Sequence, residues 1–118
     1  MNKPLVSICI PTYNGQKFIA EAMDAAIKQT YRPLEIVVSE DASKDATLEI
    51  IKSFQNKTDI PIHIFTHKPS GIGANWNHSI KKSKGEYIKF LFQDDILAPS
   101  CIEKMMEIAV TNKDVGMV

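Results

Sequence analysis

The sequence predicts an α/β domain: an open, mostly parallel sheet with helices on both faces and strand order 3-2-1-4. Three observations carry this expectation. Short β-rich runs alternate with helix-period segments four times along 118 residues, the pattern of repeated βα units. The runs are apolar almost throughout, as in strands covered on both faces. No linker, repeat or low-complexity tract interrupts the alternation.

Leu5–Ile10 is the first strand, ended by Pro11, and Thr12-Tyr13-Asn14-Gly15 is loop chemistry. A helix follows over 16–29, with Ile19, Met23, Ala26 and Ile27 recurring on one face, and Arg32-Pro33 breaks it. Leu34–Val38 is the second strand, running into Ser39-Glu40-Asp41-Ala42-Ser43. Asp45 is a suitable N-cap for a helix reaching Phe54 with Leu48 and Ile51 inward. Ile62–Phe65 makes a short third strand, and Pro69–Gly73 a loop. A helix over 74–83 is closed by Gly85 as the residue beyond its C-cap. Glu86–Phe92 is the fourth strand, and Pro99 starts a last helix to Thr111. Asp114–Val118 reads as the opening of a fifth strand. The expectation is a single domain over 1–118, the front part of something longer, with an unfinished sheet edge through which self-association is plausible.

The apolar fraction is 44% and the charged fraction 24%, ordinary for a globular protein. Fourteen basic residues balance fourteen acidic ones, so no basic excess argues for nucleic acid or a charged membrane surface. Lys81, Lys82 and Lys84 read as a solvated helix face. No segment approaches the roughly 18 apolar residues of a membrane span, and the short apolar run before Pro11 is not a secretory signal. Cys9 and Cys101 have no metal-type spacing and read as reduced packing residues. A cytoplasmic location follows, including the inner face of the membrane.

The apolar run Tyr87–Phe92 stops at Gln93 and two adjacent carboxylates, Asp94 and Asp95. Acids at the mouth of a core are costly unless solvated or paired, and a hard divalent cation is a natural partner; a solvated turn is the plainer alternative. In open α/β sheets ligands bind beyond the carboxyl ends of the strands, where strand order reverses. The predicted order puts that point between the first and fourth strands. Pro11-Thr12-Tyr13-Asn14, Glu40-Asp41 and Asp94-Asp95 therefore gather on one rim. The chain has no G-x-G-x-x-G and no G-x-x-x-x-G-K-[ST], so the phosphate sites those motifs build are excluded. Carboxylates repel a diphosphate unless Mg²⁺ or Mn²⁺ lies between them. The rim thus suits a metal-dependent nucleotide-diphosphate site, with Tyr13 to stack on a base and Asp41 to accept from a base N–H.

Val6-Ser7-Ile8-Cys9-Ile10-Pro11-Thr12-Tyr13-Asn14, Glu35–Thr47 with its Glu40-Asp41-Ala42-Ser43, and Gly85–Asp95 occur in the order found in the family 2 glycosyltransferases of the GT-A fold, which this chain resembles over nearly its whole length. The resemblance implies inverting transfer of a sugar from a nucleotide-sugar donor, commonly a UDP-sugar, to a carbohydrate or lipid-linked acceptor, as in surface polysaccharide synthesis. It implies that Pro11, Thr12 and Tyr13 line the nucleoside pocket, that Asp41 holds the base edge, and that Asp94 faces the ribose or donor sugar. Asp95 matches the acid that binds the Mn²⁺ or Mg²⁺ bridging the diphosphate. The catalytic base is expected beyond residue 118, so the chain alone is expected to bind donor and transfer nothing. The family's usual Asp-Asp-Gly-Ser is here Glu40-Asp41-Ala42-Ser43, and its Arg-Asn on the third helix is Trp76-Asn77. Trp76 is expected to pack and His78 to lie on the surface. His63 and His67 flank the third strand without a metal-like grouping. A phospho-receiver module would want an acid pair after the first strand, which is missing. A non-catalytic GT-A-like fragment or partner subunit is the remaining alternative.

Overall fold

The four apolar runs pair side by side into one parallel sheet of order β3-β2-β1-β4, the order expected. The computed structural model describes residues 3–68, 71–91 and 97–111. β1 is Val6–Thr12, β2 Leu34–Glu40, β3 Ile62–Thr66 and β4 Tyr87–Phe90; α1 is Ile19–Ile27, α2 Thr47–Phe54, α3 Ile72–Lys82 and α4 Cys101–Thr111. The anticipated fifth strand and the end of the fourth lie outside the described residues. Every residue of β1 and β2 is buried, which explains why their sequences do not alternate. The core joins Ile8, Ile10, Ile36 and Val38 of the sheet to Ile19 and Met23 of α1, Ile51 of α2, and Ile102 and Met106 of α4. Each such side chain contributes about 1.5–3 kcal/mol by leaving water. Leu48 is only half-buried, and Ile50 packs against the core beside Ile51.

Polar groups fasten the layers where apolar packing leaves seams. The buried Gln29 amide donates to the carbonyls of Ala25 (3.2 Å) and Ala98 (2.8 Å), and its oxygen accepts the Ile102 N–H at 3.0 Å. It thereby supplies a partner for an otherwise orphaned donor in the first turn of α4. Pro99 sits in the turn preceding this helix, not within it. Glu35, buried inside β2, accepts from Ser7 Oγ and, at 2.7 Å, from the Lys84 N–H, with His63 Nε2 at 3.6 Å.

The expected role of Gly85 is corrected. It is not a left-handed cap: among the described residues the glycine with positive φ is Gly71, at 88°, and α3 closes at Ser83 in an extended conformation. Gly85 is instead where the α3–β4 connection crosses β1. Its N–H donates to Ser7 Oγ at 2.7 Å, and a Cβ there would lie 2.5 Å from Ser7 Oγ, 2.7 Å from Ser7 N and 2.9 Å from Leu5 O. Lys82 also departs from a purely solvated role, its Nζ lying 5.1 Å from the centroid of the Phe65 ring, within cation–π reach.

Candidate functional site at the C-terminal rim of the sheet

β1 and β2 are in register to their last residues, Thr12 opposite Glu40, so the loops that follow emerge together. The Asp41 N–H donates to the Thr12 carbonyl at 2.9 Å, placing Asp41 beside the residue that precedes Tyr13. Beyond this point the loops are laced by reciprocal bonds. Asn14 N–H donates to Ser43 Oγ (2.8 Å), and Lys44 N–H donates to Asn14 Oδ1 (2.8 Å). Gly15 N–H donates to Thr47 Oγ1 (2.9 Å), Gln16 N–H to Asp45 Oδ2 (3.2 Å) and Ala46 N–H to Gln16 Oε1 (3.1 Å). The Glu40 carboxylate is buried and accepts the Ser43 N–H and hydroxyl. Glu40 is thus a loop anchor.

Asp45 acts one position from its expected place. The cap residue is Ala46, while the Asp45 carboxylate accepts the Thr47 hydroxyl and its N–H, the latter at 3.0 Å. The Thr47 hydroxyl foremost, with the Thr47 and Gln16 N–H groups, holds its carboxyl below the usual range against the opposing effect of burial.

Both loops use left-handed backbone at non-glycine residues, Asn14 at φ 47° and Ala42 at φ 55°. Asparagine tolerates this region; alanine does so at a cost of about 1–2 kcal/mol. Ala42 stands at the glycine of the family pattern. Ala42→Gly is therefore expected to raise stability by about 0.5–1 kcal/mol after the entropy of the freer unfolded chain is deducted, as read from denaturant unfolding. A loss of stability would show that the loop is not strained there.

Of the residues expected to line a nucleoside pocket, Tyr13 is exposed (47%) whereas Pro11 and Thr12 are buried. Thr12 Oγ1 is the buried side-chain polar atom without a partner among the described residues. Asp41 is 5% exposed; its Oδ2 accepts the Gly71 N–H at 3.2 Å and its Oδ1 lies 3.3 Å from His67 Nδ1. Asp94 and Asp95 lie outside the described residues. Among the described residues no group of three or more His, Cys, Asp or Glu is placed to hold a metal.

The structure adds a cluster that the sequence reading missed. His67 Nε2 lies 2.8 Å from Asn75 Oδ1 and 3.1 Å from Ser39 Oγ, and Ser39 Oγ lies 3.2 Å from His78 Nδ1. Asn75 is buried and its Nδ2 donates to the Thr12 carbonyl at 3.2 Å. His78 is half-buried in this cluster rather than a surface histidine. Burial disfavours the His67 cation, but bonds to Asn75 and the Lys68 carbonyl and the charges of Asp41 and Glu40 outweigh it and raise its pKa. Burial, the His67 ring and Lys82 and Lys81 lower that of His78. The available signal was the i, i+3 spacing of Asn75 and His78, which puts both on one helix face. Trp76 is partly exposed (39%), its ring centroid 6.0 Å from that of Phe90. Burial chiefly pushes the Cys9 thiol up to about 11, and both cysteines are free. Among the described residues no helix is long and apolar enough to cross a membrane.

A model of the family described as "Glycosyl transferase family 2" matches residues 7–118. An uncharacterised glycosyltransferase of Rickettsia typhi is 44% identical over 114 residues, covering 95% of this chain and 35% of that protein. The chain thus spans about a third of the length of this curated relative, and 18% of a second from Rickettsia felis. Among solved structures, S. aureus TarS in complex with UDP-GlcNAc superimposes with a TM-score of 0.81 at 28% identity, covering 92% of this chain and 32% of that one. The mannosyltransferase PcManGT of Pyrobaculum calidifontis, in complex with GDP-Man and Mn²⁺, gives 0.77 at 26%, covering 84% and 30%.

Proposed function

The chain belongs to glycosyl transferase family 2, and on that premise we propose that it forms the donor-binding part of an inverting glycosyltransferase. The donor is a UDP-sugar held through a divalent metal, and the acceptor is a carbohydrate or lipid-linked hydroxyl. The observation that carries this is the pairing at the rim: the Asp41 N–H bond to the Thr12 carbonyl fixes an acidic acceptor beside an exposed Tyr13. Tyr13 offers a face for the base, Asp41 a carboxylate for a base N–H, and Pro11 and Thr12 the floor beneath them. Asp94 is the acid assigned to the ribose or sugar.

Asp95 is the residue that would hold Mn²⁺ or Mg²⁺, and adjacent hard carboxylates suit either ion. When bound, such an ion neutralises charge on the departing diphosphate. The UDP-GlcNAc complex of TarS and the GDP-Man and Mn²⁺ complex of PcManGT support a nucleotide-sugar donor and a divalent ion. No residue of the chain is assigned as catalytic base.

Asp41→Ala tests the base contact. Titration with UDP and with GDP in Mn²⁺ should show the parent preferring UDP. The variant should bind UDP about tenfold more weakly, the scale of one charge-assisted hydrogen bond, while still requiring metal. Equal UDP affinity for parent and variant would remove Asp41 from the site.

A further inference from the structure

We propose, on the donor-site assignment above, that His67 is a positioning residue. It holds the Asp41 carboxylate for the nucleotide base as the protonated member of a histidine pair with His78, so that donor affinity falls when the pair gives up its proton.

Donors and acceptors around the two rings fix where the protons sit. Asn75 Nδ2 donates to the Thr12 carbonyl at 3.2 Å, which turns Asn75 Oδ1 toward His67 Nε2 at 2.8 Å and Ser39 Oγ at 2.7 Å. An amide oxygen only accepts, so Nε2 must carry hydrogen. Across the ring, Nδ1 faces the Lys68 carbonyl at 2.8 Å and Asp41 Oδ1 at 3.3 Å. Both of these are acceptors too, so Nδ1 must carry hydrogen as well. Only the imidazolium satisfies the two sides together. Ser39 donates its hydroxyl proton to Asn75 and so meets His78 Nδ1, 3.2 Å away, as an acceptor. A neutral His78 protonated on Nδ1 fits that role.

The two rings lie 4.5 Å apart between centroids, where two cations would repel in a partly buried setting. One proton is therefore shared between two rings, and it rests on His67. The charged groups around the pair agree with that placement. The charges of Asp41 and Glu40 favour a cation on His67, whereas those of Lys82 and Lys81 on α3 disfavour one on His78; Lys68 adjoins His67 through its carbonyl.

Asp41 has about four lone-pair directions as a carboxylate. The bond from Gly71 N–H and the His67 contact orient it. When His67 loses its proton, one ring nitrogen turns a lone pair toward an acceptor. If that nitrogen is Nδ1, Asp41 faces repulsion in place of a cation. The sign follows from the raised pKa of His67: its contribution is full at acid pH and disappears as pH rises through the folded-state value, above about 6.5.

The test has two arms. The first titrates the chain with UDP-GlcNAc in Mn²⁺ between about pH 5.5 and 8.5; this diphosphate is esterified at both ends, so the ligand itself does not titrate there. Parent affinity should fall about tenfold across the range, while His67→Gln binds weakly and without that pH dependence. His78→Gln, which removes an uncharged ring, should keep that pH dependence, because the proton that matters rests on His67. The second arm follows the histidine ring signals by NMR without nucleotide. His67 should titrate above His78, and Asp41→Asn should lower the His67 midpoint. Parent affinity that is flat with pH, or a His67→Gln variant that keeps the parent's pH profile, would overturn the proposal. If the chain binds no UDP-GlcNAc at any pH, the donor-site assignment fails by itself. The NMR arm then decides the coupling, and a His67 midpoint unmoved by Asp41→Asn overturns it.

Discussion

Gly85→Ala is expected to cost the fold about 3 kcal/mol, at the upper end of what one forced methyl group does in a packed interior. The Cβ would meet Ser7 N at 2.7 Å and Leu5 O at 2.9 Å, both backbone atoms of the β1 region, besides Ser7 Oγ at 2.5 Å. A side chain can turn aside; these backbone atoms cannot, because the Leu5 carbonyl accepts Glu86 N–H at 2.8 Å and Ser7 is paired in the sheet on both sides. For a domain of ordinary stability this is a large fraction of the total, and the melting temperature should drop by about 10 °C. Ser7→Ala removes the nearest contact but should not rescue the variant, since the backbone atoms remain. A loss below about 1 kcal/mol in denaturant unfolding would show that the α3–β4 connection can shift away from β1.

Asp95→Ala is expected to abolish the metal-dependent part of UDP binding, a loss of about 100-fold or more when a carboxylate ligand to a hard cation is removed. Stability should stay within about 0.5 kcal/mol of the parent, as denaturant unfolding would read. This variant separates the two halves of the proposed site. Asp41→Ala weakens the base contact and keeps the metal requirement; Asp95→Ala removes the requirement along with the affinity it supports. A variant that binds UDP in Mn²⁺ as the parent does would place the metal elsewhere.

Much of the fold was legible because burial on both faces writes itself into composition. Val6–Ile10 and Leu34–Val38 are apolar enough to announce central strands, and the order β3-β2-β1-β4 sets both in the middle of the sheet. The rim was legible for the same reason, since topology alone sends the Thr12–Tyr13 and Glu40–Asp41 loops to one edge. What stayed hidden depends on approach in space. Gly85 looks like a helix-ending glycine in sequence, and only its distance to Ser7 and Leu5 shows the actual constraint. Glu35 and Gln29 sit among apolar residues, and their partners, Lys84 and Ile102, are far along the chain. The histidine pair draws on β2, the residue after β3 and one face of α3, so no local spacing joins Ser39, His67 and His78. Asp45 was misplaced by one residue because its carboxylate reaches past Ala46 to Thr47.

The most direct measurement is calorimetric titration of this chain with UDP in Mn²⁺, repeated after EDTA. Binding should be present with the ion, lost on chelation and restored by fresh Mn²⁺. Binding that survives EDTA unchanged, or none with Mn²⁺ in a folded sample, would contradict a metal-dependent donor site on this rim.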